Sequence, residues 1–440
     1  MPQNTQPFAL GTINGQQTVV RFDATHTTSD AGVVLLSRID ARLKLCERLA
    51  GAIADQRNPL LVTHLLVTLL RQRIFQIAMG WEDCDDGDLL RSDPALKLAC
   101  DRQPASNEPL ASQPTLSRLE NAVTDADLAR LSDVLLDQYL ERQPRRRRLI
   151  VIDADVTDAE THGHQELSAF NTYYGHTCLT PLLVFDGTTG DLLSVAMRPG
   201  NASTGDGLVE QLGRIVPRLR QRWPGARILV RLDSGFDWPS IFDFCETNGL
   251  EYLIAMKNNK VLERMAATSM RDARYLADQS GEQRQVFGYG TYQSRSWSHV
   301  RRVVWKAEAG PYATDQRYVI TNLLGVPSQL YRRYSQRGQS ENWIKGFKRA
   351  LKGNRMSCHK ASANQFRLLL HAAAYALMLA LQENLTETEA ACWQFDTLRI
   401  RLLKVGGWIH QAGRRTILHL AASHPHQDLW ACLIRRLQPA

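Results

Sequence analysis

Two aspartates stand at the C-terminal ends of apolar, β-branched runs that are typical of buried strands. The runs are Leu149–Asp155 and Arg227–Asp233, and the first also carries Asp153. A carboxylate at the end of a buried strand is costly unless a cation meets it, and a divalent metal is a common answer. Alternation along a strand puts Asp153 and Asp155 on the same face. Taken singly, each aspartate is also typical of a strand-end turn.

A third acidic residue lies in a strongly basic segment. Between Tyr331 and Lys360 the chain has nine Lys or Arg and one acid, Glu341. A continuous helix over residues 328–351, with about 100° per residue, places four polar side chains on one narrow stripe. The stripe comprises Tyr334, Arg337, Glu341 and Lys348. A lone carboxylate among cations suits a metal ligand whose neighbours bind phosphates.

The composition limits the class of protein. The chain has 440 residues, and its 53 Lys and Arg against 45 Asp and Glu give a net charge of +8, which favours an anionic partner. Its eight cysteines form no C-x-x-C pair, which argues against a zinc ribbon or a disulfide scaffold and fits a reducing cytosol. We expect neither a signal peptide nor a membrane span, because the longest charge-free apolar run, residues 59–70, is too short to cross a bilayer.

The elements that would position the acids follow an α/β order. Three strands, a helix, a strand, a helix and a strand are predicted between residues 149 and 256, which is the order of the ribonuclease H fold. Residues 258–325 interrupt this order with three further predicted strands, so we interpret them as a β-rich insertion. The fold class is therefore α/β, with a ribonuclease H-like core, a β-rich insertion and flanking helical N- and C-terminal regions.

Three motifs resemble a known family. Tyr334-x2-Arg337-x3-Glu341-x6-Lys348 matches the Tyr-Arg-Glu-Lys signature of bacterial DDE transposases related to insertion sequence four. Asp155-Val-Thr157 is similar to the first catalytic aspartate of these enzymes in its Asp-x-Thr setting, which favours Asp155 over Asp153. Asp233-Ser-Gly-Phe236 is similar to the second. More narrowly, four segments resemble the insertion-sequence family 1380. They are residues 110–118, 153–157, 161–163 and 198–201.

The resemblance implies metal-dependent cleavage and joining of DNA strands. Asp155 would bridge two Mg²⁺ ions, for which Mn²⁺ can substitute, while Asp233 and Glu341 each complete one site. The three other signature residues would hold the DNA backbone without reading its sequence. They are Tyr334, Arg337 and Lys348. The implied partners are double-stranded DNA, as terminal inverted repeats and as target, and further copies of the chain, because two transposon ends must be handled together. We expect a homo-oligomer, a dimer on DNA, in the bacterial cytoplasm at the nucleoid.

The predicted organisation assigns a role to each region. Residues 1–145 form a helical DNA end-binding region, 146–257 the first part of the core, 258–325 the β-rich insertion, 326–360 the core helix carrying Glu341, and 361–440 a helical C-terminal region. A helix starting in residues 111–120 is either a recognition helix or an ordinary capped surface helix.

Two hypotheses concern what the chain does with DNA. A domesticated, non-catalytic DNA-binding protein and a nuclease of the ribonuclease H fold are the alternatives to a transposase.

In the insertion, Trp297, Trp305 or Tyr318 would stack on a base pulled from the transposon end, unless all three pack the insertion's own core.

Overall fold

A computed structural model gives the structure of residues 6–438. The chain divides into two compact units. The first contains the described parts of segments 1–51, 55–119 and 377–440, and the second contains residues 52–54 and 120–376. In the described part of the chain, none of the helices combines the length and apolar character that crossing a bilayer requires.

Most of the strands lie between residues 149 and 321, with helices before, among and after them. The strands are β1 (Phe8–Ile13), β2 (Gln16–Val20), β3 (Thr27–Thr28), β4 (Leu149–Val156), β5 (Ala159–Glu160), β6 (Ala169–Asn171), β7 (His176–Leu179), β8 (Leu182–Asp186), β9 (Leu192–Ala196), β10 (Arg227–Leu232), β11 (Glu251–Met256), β12 (Arg284–Tyr292), β13 (Arg301–Ala309), β14 (Thr314–Thr321), β15 (Gly407–Ala412) and β16 (Arg415–Leu420). The helices are α1 (Val33–Leu43), α2 (Leu45–Ala52), α3 (Leu66–Met79), α4 (Asp86–Leu90), α5 (Pro94–Ala99), α6 (Gln113–Ala122), α7 (Asp125–Arg142), α8 (Leu208–Arg222), α9 (Pro239–Thr247), α10 (Lys260–Met265), α11 (Ala267–Ser280), α12 (Pro327–Ser335), α13 (Gln339–Lys345), α14 (Ala361–Glu383), α15 (Phe395–Leu398) and α16 (Gln427–Leu437).

An eight-stranded mixed sheet forms the centre of the second unit. Its strand order is β12–β13–β14–β11–β10–β4–β8–β9. The three central strands β4, β10 and β11 run parallel, whereas β8 pairs with β4 and β14 pairs with β11 in antiparallel fashion. Parallel strands that are covered on both faces need continuous apolar sequence, which explains the β-branched runs that predicted β4 and β10.

The two faces of this sheet carry different side chains. On β4, Ile150 and Ile152 point into a large core cluster that also receives apolar side chains of α8 and α9. Val151 points to the other face, where it packs with Leu229 of β10 and with Tyr331 of α12. By alternation, Asp153 and Asp155 share the face of Val151. The predicted acids therefore lie on the face that α12 covers.

The insertion extends the main sheet. Strands β12, β13 and β14 pair in sequence, and β14 joins them to β11. They are preceded by α10 and α11, two helices that the sequence patterns did not predict. Trp297, Trp305 and Tyr318 are 6%, 6% and 1% exposed and belong to the large core cluster. All three lie in this main core rather than in a separate core of the insertion, so stacking on a base would require the ring to leave the core.

The first unit also contains two small sheets. Strands β16, β15 and β3 form a three-stranded antiparallel sheet in that order. Strands β1 and β2 form a separate hairpin whose turn residues, Asn14 and Gly15, both have positive φ. Asn-Gly readily adopts this conformation, which matches the twist of a two-residue hairpin. Residues 8–20 therefore form strands within a region that was predicted to be helical.

Candidate active site

The register of two parallel strands brings the predicted aspartates together. Arg231 of β10 is the direct partner of Asp153 on β4. Asp155 lies two residues further along β4, and Asp233 directly follows the end of β10, so both carboxylates lie at the same end of the strand pair. The sheet ladder thus builds two successive layers of charged side chains, an Asp153–Arg231 layer and an Asp155–Asp233 layer.

Asp153 forms a closed, fully buried ion pair. Its two carboxylate oxygens accept hydrogen bonds from Nε and Nη2 of Arg231 at 2.8 and 2.7 Å. Asp153 is 0% exposed and Arg231 2%. The guanidinium also donates to the carbonyl oxygen of Arg333 at 3.0 Å, which ties the end of α12 to the sheet. Asp153 therefore has the contacts of a structural residue, and its Arg231 partner holds the helix above the site.

Asp155 and Asp233 converge on a single cationic group. Nη2 of Arg337 donates to Oδ2 of Asp155 at 2.8 Å and to Oδ2 of Asp233 at 3.3 Å. It also lies 3.3 Å from the carbonyl oxygen of Ala154. Among the described residues, Nε of Arg337 is buried without a hydrogen-bond partner. The two carboxylates thus share one cation, as they would share a metal ion.

Burial and neighbouring charges shift the pKa values of Asp155 and Arg337. Burial raises the pKa of the Asp155 carboxyl above its ordinary value; the Arg337 guanidinium opposes the rise, and the neighbouring Asp233 charge adds to it. Desolvation alone would lower the pKa of Arg337, but the charges of Asp155 and Asp233 raise it overall. A cation between the two aspartates therefore offsets the repulsion between their negative charges.

The helix that was predicted to carry Glu341 is interrupted. Helix α12 ends at Ser335, a 3-10 turn spans Gln336–Gly338, α13 follows, and a π-helical turn spans Gly346–Ala350. The segment is helical from Pro327 to Ala350, close to the predicted range of 328–351, but it does not keep α-helical geometry throughout. A 3-10 turn advances by about 120° per residue instead of 100°, so three such residues turn Glu341 away from the predicted stripe by about 60°. The π turn advances by fewer degrees per residue and reverses most of this rotation by Lys348.

The four signature residues do not form one cluster with the two aspartates. Glu341 is exposed, and its carboxylate does not join the pair of aspartates. Lys348 forms an ion pair with Asp158, whose other oxygen lies 3.4 Å from Nε2 of His176. Tyr334 is half-buried and packs against Tyr331, with ring centroids 6.0 Å apart, and burial raises its pKa. Of the predicted residues, the structure brings Asp155, Asp233 and Arg337 together, and Tyr334 lies close enough to interact electrostatically with Arg337 and Asp233.

The donor set fits a divalent cation in part. Asp155 and Asp233 already present two carboxylate oxygens to one cationic position, which is the chemistry that Mg²⁺ prefers. Within residues 6–438, no group of three or more His, Cys, Asp or Glu side chains is placed to hold a metal. The pair of aspartates fits a metal ion, whereas Glu341 would have to move to become the third ligand.

Two residues that shape this site lie outside the predicted set. Arg231 interrupts an otherwise apolar strand, and a lone cation in a buried run is a signal that a buried carboxylate faces it. Asp158 follows Asp155 by three residues and pairs with Lys348, a contact across 190 residues that no local pattern could indicate.

Comparison with known proteins identifies the family. The family described as Transposase DDE domain group 1 matches residues 10–440. The chain belongs to this family. The search of curated proteins found no match to this chain. Among solved structures it is similar to a piggyBac transposase in a synaptic complex with hairpin DNA, with a TM-score of 0.41 and 10% identity, over 94% of this chain and 83% of that one. Membership of the DDE transposase family supports a transposase function.

Proposed function

We propose that this transposase binds the terminal inverted repeats of an insertion sequence and catalyses metal-dependent strand cleavage and strand transfer. The observation that carries the proposal is the convergence of Asp155 and Asp233 on one cationic group. We further propose that strands β4, β8, β9, β10 and β11 form a ribonuclease H-like core, since their spatial order is that of its five strands, and that the chain belongs with the insertion-sequence family 1380.

Asp155 and Asp233 are the proposed metal ligands, and Glu341 is proposed to complete the set. A bound Mg²⁺ or Mn²⁺ would activate a water, or the 3′-hydroxyl of a cleaved DNA strand, as nucleophile and would neutralise the leaving oxygen. Arg337 is then no longer needed between the aspartates, and its guanidinium becomes free for a DNA phosphate. Lys348 and Tyr334 are proposed to position the same backbone.

A cleavage assay tests this function directly. Supercoiled plasmids with and without a candidate inverted repeat are incubated with the protein and Mn²⁺. We expect cuts at the repeat ends, and we expect Asp155→Asn and Asp233→Asn to abolish the cuts while end binding persists. Cuts that ignore the repeat would indicate a nuclease, and binding without cutting would indicate a non-catalytic DNA-binding protein.

A further inference from the structure

The β1–β2 hairpin is an apolar arm with little support from its own chain. All six residues of β1 are exposed, and so are four of the five residues of β2. The arm, residues 8–22, presents six exposed apolar side chains, including Leu10 at 62% and Phe22 at 72%. An isolated two-stranded hairpin is at best marginally stable in water. The arm therefore needs a surface that covers it.

The charge of the arm argues against DNA as this surface. Between residues 8 and 22 the chain carries one charged residue, Arg21. Binding to phosphates needs several cations, because each neutralised phosphate contributes to affinity. An apolar, almost uncharged arm fits an apolar protein groove instead.

The same unit contains such a groove. It has a volume of about 410 Å³ and lies between α1, α16 and β16. Its apolar lining includes Val34, Leu35, Leu418, Leu420, Ile434 and Leu437. No residue of the arm contributes to the lining, so within the described chain the arm stays outside its own groove.

The groove also offers a free strand edge. Strand β16 is the outer strand of the β16–β15–β3 sheet, and among the described strands it pairs with β15 alone. Strands β1 and β2 likewise pair only with each other among the described strands. Unpaired edges of this kind readily accept a strand from another chain. The arm can therefore add its backbone to β16 while its side chains enter the groove.

We propose that the arm of one copy docks in the groove of a second copy, and reciprocally, so that the transposase forms a dimer through its first unit. Burying one apolar side chain removes on the order of 100 Å² from water. Val19 and Val20 are neighbours on β2 and point to opposite faces, so at most five of the six side chains enter one groove. Five side chains exposed by 38–72% give roughly 270 Å² per arm, and two arms with two grooves about 1,100 Å² in all. This area exceeds the roughly 1,000 Å² that a biological interface should bury.

Cysteine cross-linking between two different variants tests the docking. The full-length chain is first given Ser in place of its three cysteines that are not buried, Cys358, Cys392 and Cys432. One preparation then carries Leu10→Cys and the other Ile434→Cys. We expect the oxidised mixture to yield a covalent dimer that joins one of each variant. Leu60→Cys in place of Leu10→Cys is the matched control, because Leu60 is 92% exposed in the same unit but outside the arm.

Two outcomes would overturn the proposal. The first is a covalent dimer no more abundant with Leu10→Cys than with Leu60→Cys. The second is a double variant, Leu10→Cys with Ile434→Cys, that cross-links only within one chain, which would mean that the arm closes on its own groove. As an independent measurement, Leu10→Asp and Ile434→Asp should each raise the dimer dissociation constant by about tenfold or more, corresponding to at least 1.4 kcal/mol, without lowering the melting temperature.

Discussion

Asp153 and Asp155 lie two residues apart on the same strand face, yet their contacts differ completely. Asp153 has both oxygens bound by Arg231 and no exposure, whereas Asp155 shares a single guanidinium nitrogen with Asp233. A carboxylate that is already saturated cannot take a metal without breaking a buried ion pair. The choice between the two aspartates therefore follows from their partners.

Substituting each aspartate should separate stability from catalysis. We expect Asp153→Asn to lower the free energy of unfolding by about 3–5 kcal/mol, because it leaves Arg231 buried without a counter-charge. We expect Asp155→Asn to keep nearly normal stability but to lose cleavage. Urea unfolding and the plasmid assay measure the two effects. Normal cleavage by Asp155→Asn would assign the first catalytic acid elsewhere.

Arg337 occupies the position between the two aspartates that the proposed metal would take. We expect Arg337→Ala to bind Mn²⁺ more tightly than the unaltered protein in the absence of DNA, by about tenfold or more, since a full positive charge within about 4 Å of the carboxylates is removed. Calorimetry at pH 8 measures this affinity. Arg332→Ala is the control, because Arg332 is exposed on α12. Weaker binding by Arg337→Ala would mean that the guanidinium supports the metal site.

At the scale of elements, the proposed role of Glu341 as a metal ligand requires the segment from Gln336 to Ala350 to rearrange. Its 3-10 and π-helical turns interrupt the helix on both sides of α13. Such turns often mark positions where a helix can change phase. A change of phase here would carry Glu341 towards the aspartates without moving the sheet.

The contribution of Glu341 to metal binding should therefore depend on DNA. In the free protein we expect Glu341→Gln to leave Mn²⁺ affinity unchanged, because the side chain is exposed and away from the aspartates. In the complex with a transposon end, the same substitution should weaken binding by at least about 10-fold, since even outer-shell metal partners are worth 10–100-fold. Equal effects in both states, measured by calorimetry, would contradict the rearrangement.

Local sequence patterns predicted some of these elements and not others. The strands β4 and β10 were predictable because a buried parallel strand requires an unbroken apolar run. The hairpin was not predicted, although Asn14-Gly15 directly after Thr12-Ile13, and shortly before Thr18-Val19-Val20, is a strong local signal. The change of helix geometry within residues 327–350 was not predicted. Trp343 of this segment packs closely against Gly190, a contact between residues far apart in the chain that no local pattern indicates. The ion pair between Lys348 and Asp158 was not predictable either, because 190 residues separate the two in the chain.

At the scale of the whole molecule, a net charge of +8 is small for 440 residues. The salt dependence of DNA binding should therefore come from a few local clusters rather than from the average charge. Lys348 lies in the strongly basic segment between Tyr331 and Lys360, yet Asp158 neutralises it in the free protein.

Two substitutions should change DNA binding in opposite directions. We expect Lys348→Ala to reduce the slope of log K against log salt by about 0.9, the value of one phosphate contact. Asp158→Asn should instead tighten binding and keep the slope, because it releases Lys348 from its ion pair. Fluorescence anisotropy with a labelled transposon end at several salt concentrations measures both. Identical slopes for Lys348→Ala and the unaltered protein would exclude Lys348 from the DNA interface.

The position of β14 in the main sheet has a consequence for synthesis on the ribosome. Strand β11 pairs with β10 on one side and with β14 on the other, but residues 257–313 separate β11 from β14 in the chain. At about 5–20 residues per second, this segment takes several seconds to emerge. During that delay the buried strand β11 has an open edge, which another nascent chain can join. We therefore expect this transposase to aggregate more readily during translation than after folding. Slower elongation through residues 257–313 should lower its soluble yield.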